Sequence, residues 1–83
     1  MKILYFAWLR ERLNRGEEEV ALPAEVVTVG DLISWLAARD EGAALALRNP
    51  KIIRAAVDAR LADHATPLGG ATTVALFPPM TGG

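Results

Sequence analysis

At 83 residues, 52% of them hydrophobic, the chain is long enough for one small domain with a core and too short for two. Its net charge of −1 and its scattered Lys and Arg residues give no support for nucleic-acid binding, and no apolar run is long enough to span a bilayer. With no cysteine, the chain cannot form disulfides, ligate a cluster through cysteine, use a cysteine nucleophile or hold a side-chain persulfide.

Taken in order, Lys2–Ala7 (KILYFA) is apolar and rich in β-formers, and reads as a buried first strand. Trp8–Asn14 has room for about two helical turns before Arg15-Gly16 breaks the pattern. Glu17–Leu22 (EEEVAL) is a second strand that pairs with the first as a hairpin. Glu18, Val20 and Leu22 share one face, and Pro23 ends the strand. Thr28 is a good N-cap, with Asp31 in the first turn where a carboxylate suits the helix dipole. Val29, Leu32, Ile33, Leu36 and Ala37 then form one apolar stripe, which predicts a helix to about Arg39.

Asp40-Glu41-Gly42 is expected to stop that helix, and Ala43–Arg48 to make a second short one ended by Asn49-Pro50. Lys51–Val57 predicts a third strand with Ile53, Ala55 and Val57 inward, Asp58-Ala59 a turn, and Arg60–Ala62 a short edge strand. Asp63–Ala71 reads as loop, with a single turn at Thr66-Pro67-Leu68. Thr72–Phe77 is the last strand, with Val74 and Leu76 facing one way and Thr73, Ala75 and Phe77 the other.

Strands at both ends with a helix between them suggest first and last strands side by side and parallel, joined by a helical crossover. That order predicts an α+β roll of the β-grasp kind, the fold of ubiquitin, with a mixed sheet of four to five strands on one main helix. The domain is expected over residues 1–77, followed by a tail over 78–83.

The chain is short of reactive side chains. His64 is its only histidine and Ser34 its only serine, too few for a serine triad with room to position it. One histidine and scattered carboxylates make a poor zinc site, so no metal is expected on this chain. His64 reads as a solvated surface residue, and Trp35 as partly buried packing on the flank of the helical stripe. Glu11 and the acids at 17–19 follow too soon for a secretory leader, so a cytoplasmic location is expected.

The sequence closes on FPPMTGG, Phe77 to Gly83. Two prolines cannot donate to a sheet and favour extended polyproline II. The six residues from Pro78 onward reach up to ~20 Å when extended. Two glycines without Cβ atoms can thread a narrow channel. The pattern fits delivery of the Gly83 carboxylate into another protein's active site. A carboxylate is a poor electrophile, and adenylation would activate it.

The opening ILYFAWLRERL, the stretches TVGDL and AAVDARL and above all the closing VALFPPMTGG resemble the small, sulfur-carrying subunits of molybdopterin synthase, a ubiquitin-like family. The resemblance covers nearly the whole chain, and its most specific part is Phe77, Pro78, Pro79, Gly82 and Gly83. It implies that an adenylating enzyme uses ATP and Mg²⁺ to form an acyl-adenylate at Gly83, and that sulfur then displaces AMP to leave a thiocarboxylate. It further implies that the tail enters the large catalytic subunit and gives sulfur to cyclic pyranopterin monophosphate during molybdenum cofactor synthesis, in a heterotetramer of two carriers on two large subunits.

On that resemblance the chain is a carrier with no active site and no cofactor of its own. Phe77, Pro78, Pro79, Met80, Thr81 and Gly82 thread the partner, and Phe6, Arg10 and Leu61 match its partner-facing surface. Core packing for Phe6 and a solvated charge for Arg10 remain open. The stretch GGATT lacks the acids expected at that turn, and Met80 stands where a smaller β-branched residue is common. Competing readings are a carrier for thiamine, tRNA thiolation or cysteine synthesis, a protein modifier joined through Gly83, and a binding module with an inert tail. The Pro-Pro spacer argues against the thiamine type.

Overall fold

The computed structural model describes residues 1–79. Along the chain run β1 (Lys2–Tyr5), α1 (Ala7–Leu13), β2 (Glu17–Glu19), α2 (Val29–Ala37), α3 (Glu41–Ala46), a 3₁₀ turn (Pro50–Ile52), β3 (Arg54–Val57), β4 (Arg60–Ala62) and β5 (Thr73–Phe77). One five-stranded sheet has the order β2-β1-β5-β3-β4. Its first and last strands in sequence are central and parallel, in register from Lys2 with Thr73 to Tyr5 with Leu76. The other pairings are antiparallel. This is the expected α+β β-grasp roll.

The period-2 pattern of the strands and the stripe on α2 explain why the layers meet. Ile3, Tyr5, Ala55, Val74 and Leu76 are buried on one sheet face, and Val29, Leu32, Ile33 and Leu36 are buried on the helix. A fully buried aliphatic side chain contributes about 1.5–3 kcal/mol relative to an exposed one. Leu9 of α1, Ala46 and Leu47 at the end of α3, and Leu68 of the last loop close the same core. Trp35 packs partly buried against it, with the Arg39 guanidinium 5.4 Å from its ring centre.

Several boundaries differ from expectation, each for a local reason. The first strand ends at Tyr5, two residues early, because Ala7 turns to φ 55° and opens α1 directly. The second ends at Glu19 and not Leu22; past Lys2 the first strand has only Met1 to offer, whose carbonyl accepts from Val20 N–H at 2.9 Å. Asp40 does not merely stop α2, which ends at Ala37. Its Oδ1 accepts from Ala43 N–H at 2.7 Å and so caps the start of α3. The third strand starts at Arg54, because Pro50 takes the first position of a 3₁₀ turn that uses up Lys51 and Ile52.

The segment 66–68 is not a turn. It runs extended past the start of α2, where Thr28 and Pro67 form a bridge and Leu68 N–H donates to Val27 O at 2.7 Å. The carbonyls of Thr66 and His64 accept from Val29 and Gly30 N–H at 3.0 and 2.9 Å. They satisfy first-turn donors that a helix cannot satisfy itself. Thr28 and Asp31 complete a reciprocal capping box there. His64 is therefore not the solvated residue expected: its Nε2 lies 2.7 Å from Ile53 O, tying the loop to the sheet.

Candidate functional site

Parallel pairing of β1 with β5 has a geometric consequence. Both strands finish at the same end of the sheet, so the β1–α1 junction stands beside the point where the chain leaves β5. Phe6 N–H still donates to Leu76 O at 3.2 Å, extending the ladder by one step. By strand alternation Phe6 and Phe77 then lie next to each other on the face of the sheet turned away from the helices. Arg54, opposite Phe77 in the β3–β5 register, is the third in that row.

An open groove of about 530 Å³ forms there. Phe6, Ala7 and Trp8 line it from the β1–α1 junction, Ile52 from the 3₁₀ turn, and Phe77, Pro78 and Pro79 from the root of the tail. Phe6 is 48% exposed and Ile52 38% exposed, so large apolar surface is presented to solvent where the chain exits. Pro78 is buried and Pro79 half-buried. The first proline is thus held by the globule.

The sequence-predicted site residues divide accordingly. Phe6, Phe77, Pro78 and Pro79 come together. Leu61, 77% exposed, lies across Ala56 on the same open face, in the row Leu61–Ala56–Ala75–Leu4. It does not line the groove. Arg10 is separate from both: its guanidinium lies across Gly16, within 3.3 Å of where a Cβ on that residue would sit. Met80, Thr81, Gly82 and Gly83 lie outside the described residues. Trp8 and Ile52 were missed as site residues, because one reads as a helix position and the other as part of a strand.

The turn GGATT holds together without acids of its own. Asp58, from the β3–β4 turn, sets Oδ1 at 3.1 and 3.0 Å from Thr72 and Thr73 N–H and 3.2 Å from Thr72 Oγ1. Those hydrogen bonds, Thr73 N–H first, hold its carboxyl below the usual range. A second polar cluster is structural. Glu18, its side chain only 15% exposed, accepts from Tyr5 Oη at 2.6 Å, Arg39 at 2.8 Å and Arg15 at 3.1 Å. Burial pushes the Glu18 carboxyl up, but the Tyr5 and Arg39 hydrogen bonds outweigh it and leave it lowered. Burial first, then the Glu18 bond, raises the Tyr5 phenol well above its ordinary value.

Among the described residues, no group of three or more His, Asp or Glu converges as a metal site. No helix among them is long and apolar enough to cross a membrane. The groove is lined by apolar side chains, with no acid–base or nucleophilic group among them.

The model of the ThiS family matches residues 3–83, nearly the whole chain and through the final glycine. The chain belongs to the ThiS family. It is 41% identical over 83 residues to the Escherichia coli (strain K12) molybdopterin synthase sulfur carrier subunit, covering 100% of this chain and 99% of that protein. Among solved structures, it is similar to a Pyrococcus furiosus protein described as molybdopterin converting factor, subunit 1. That match has a TM-score of 0.73 at 28% identity over 95% of each chain. SAMP1 from Haloferax volcanii superposes with a TM-score of 0.72 at 26% identity, over 100% of this chain and 98% of that one. Membership of this ubiquitin-like family agrees with the β-grasp sheet and with the apolar surface at its exit.

Proposed function

We propose that this ThiS-family chain is the sulfur carrier subunit of a molybdopterin synthase, with the Gly83 carboxylate as its working group. The observation that carries the reading is the placement of the tail root. The chain leaves the central strand through a seated proline, beside exposed Phe6 and Ile52, and the family match extends to Gly83. The relative that is 41% identical bears the name of that subunit.

In this reading a catalytic partner subunit receives the tail. A separate adenylating enzyme supplies activation: the Gly83 carboxylate attacks the α-phosphorus of Mg²⁺-bound ATP and pyrophosphate leaves. The terminal sulfur of a persulfide donor then attacks the carbonyl carbon and AMP departs, leaving an acyl disulfide. A thiol of the donor system cleaves its S–S bond, so that a terminal thiocarboxylate and a disulfide result. The soft, weakly hydrated sulfur is a better nucleophile than the carboxylate oxygen it replaced. The two prolines stiffen the arm, and Gly82 and Gly83 have no Cβ to jam the partner's channel. The residues Phe6, Ile52, Phe77 and Leu61 form the apolar part of the docking face, with Arg54 beside them.

The test is to incubate the chain with an adenylating enzyme of this family, ATP, Mg²⁺ and a persulfide donor, and then to measure intact mass. Exchange of one oxygen for sulfur at the terminus supports the carrier. Ladders of heavier conjugates would mark a protein modifier, and an unchanged mass an inert module. Adding the large subunit and cyclic pyranopterin monophosphate separates this pathway from other sulfur routes.

A further inference from the structure

Ala7 holds φ 55°, in the left-handed region, although it is not glycine. It follows Phe6, which is extended at φ −125°, ψ 158°, and it is the first residue of α1. One residue therefore turns a strand into a helix with no linker between them. Left-handed geometry costs an L-residue roughly 1–2 kcal/mol, and such strain persists only where the surroundings over-determine it. What lies on either side shows what the strain secures. Tyr5 before it is sealed in the core at 2% exposure, and Leu9 after it at 0%. Between them Phe6 is left 48% exposed, beside the tail root. Were the strand to continue, Ala7 would fall on the core face and Trp8 would take the open face beyond Phe6. Instead the reversal ends the open face at Phe6 and sends Leu9 inward.

We propose that Ala7 is a positioning residue for sulfur delivery: its left-handed backbone fixes Phe6 against the root of the tail, where the partner subunit docks. The proposal rests on the carrier reading above. It assigns Ala7 no contact with sulfur or substrate. Its effect travels through Phe6, so it belongs to docking and not to the transfer step itself.

The test uses full-length carrier loaded as thiocarboxylate, with the large subunit and cyclic pyranopterin monophosphate, reading KM for the carrier and kcat separately. Valine tolerates positive φ poorly and asparagine tolerates it well. Ala7→Val is expected to raise KM by about tenfold, towards the value for Phe6→Ala, with kcat held within about twofold. The double variant is expected to be little worse than Phe6→Ala alone, since both changes remove one feature. Ala7→Asn is expected to recover the loss to within about threefold. An Ala7→Val carrier with wild-type KM overturns the proposal, as does an Ala7→Asn carrier as impaired as Phe6→Ala. If Ala7→Val is too unstable to assay, Ala7→Thr, also β-branched and ill-suited to positive φ, replaces it with the same expected and overturning results. A wild-type carrier that takes up no sulfur sinks the carrier reading itself, whereas an active wild type with a flat Ala7 series sinks only the role of Ala7.

Discussion

Asp58 and Ala59 both stand at positive φ, 46° and 71°, in the two-residue turn between β3 and β4. Mirror-image turns of this kind match the twist of the flanking strands, and they favour Asn or Asp followed by Gly. Here the first position is suited and the second is not. Ala59→Gly removes the left-handed penalty but adds freedom to the unfolded chain, so a net gain of about 0.5–1 kcal/mol is expected in urea unfolding. Titration gives a second residue-scale outcome. The Tyr5 phenol is raised in the fold, so its contribution is complete below its unfolded value of 10.0 and is lost as pH rises above it. Glu18, Asp31 and Asp58 are lowered, so their contribution is present above about pH 4–4.5 and is lost as pH falls through their lowered values. Tyr5→Phe is expected to abolish the alkaline fall in stability and to weaken the acid one only at Glu18, which loses the Tyr5 bond, while the shares of Asp31 and Asp58 remain. Unfolding curves at pH 8 and pH 11 check this, and an undiminished alkaline fall would contradict it.

At the scale of elements, α2 depends on its start. Thr28 Oγ1 accepts from Asp31 N–H at 3.1 Å while Asp31 Oδ2 accepts from Thr28 N–H at 3.1 Å. Thr28→Ala is expected to cost about 1 kcal/mol, read from the urea midpoint at constant slope. This cap was legible in the sequence, as were the apolar stripe of α2, the hairpin, the parallel central pair and the edge strand Arg60–Ala62. Each rests on a short-range pattern or on one topological rule. The boundaries that were not legible depend on partners distant in sequence or on competing local roles. Asp40 ends one helix pattern, yet only the geometry shows its carboxylate capping the next helix. Nothing local in Thr66-Pro67-Leu68 says that their backbone will run along the entrance to α2. Pro50 could precede a strand or open a 3₁₀ turn, and the structure takes the second course. The site was half legible for the same reason. Phe6 and Phe77–Pro79 carry a recognisable pattern, whereas Trp8 and Ile52 join the groove only through the fold.

For the molecule as a whole, the central parallel pair decides where everything else goes. It brings the β1–α1 junction to the tail root and leaves one sheet face without a helix. The buried core on the other face is drawn from residues between Ile3 and Leu76, and the proposed carrier role rests on the tip. Changes at the tip should therefore alter sulfur transfer and leave folding untouched. The most direct measurement is sulfur transfer by carriers with Gly83 deleted, or with one residue appended after it, alongside their thermal unfolding. Unchanged melting with no thiocarboxylate and no transfer is the expected result. Full transfer by the extended carrier would show that the terminal carbonyl of Gly83 is not the working group.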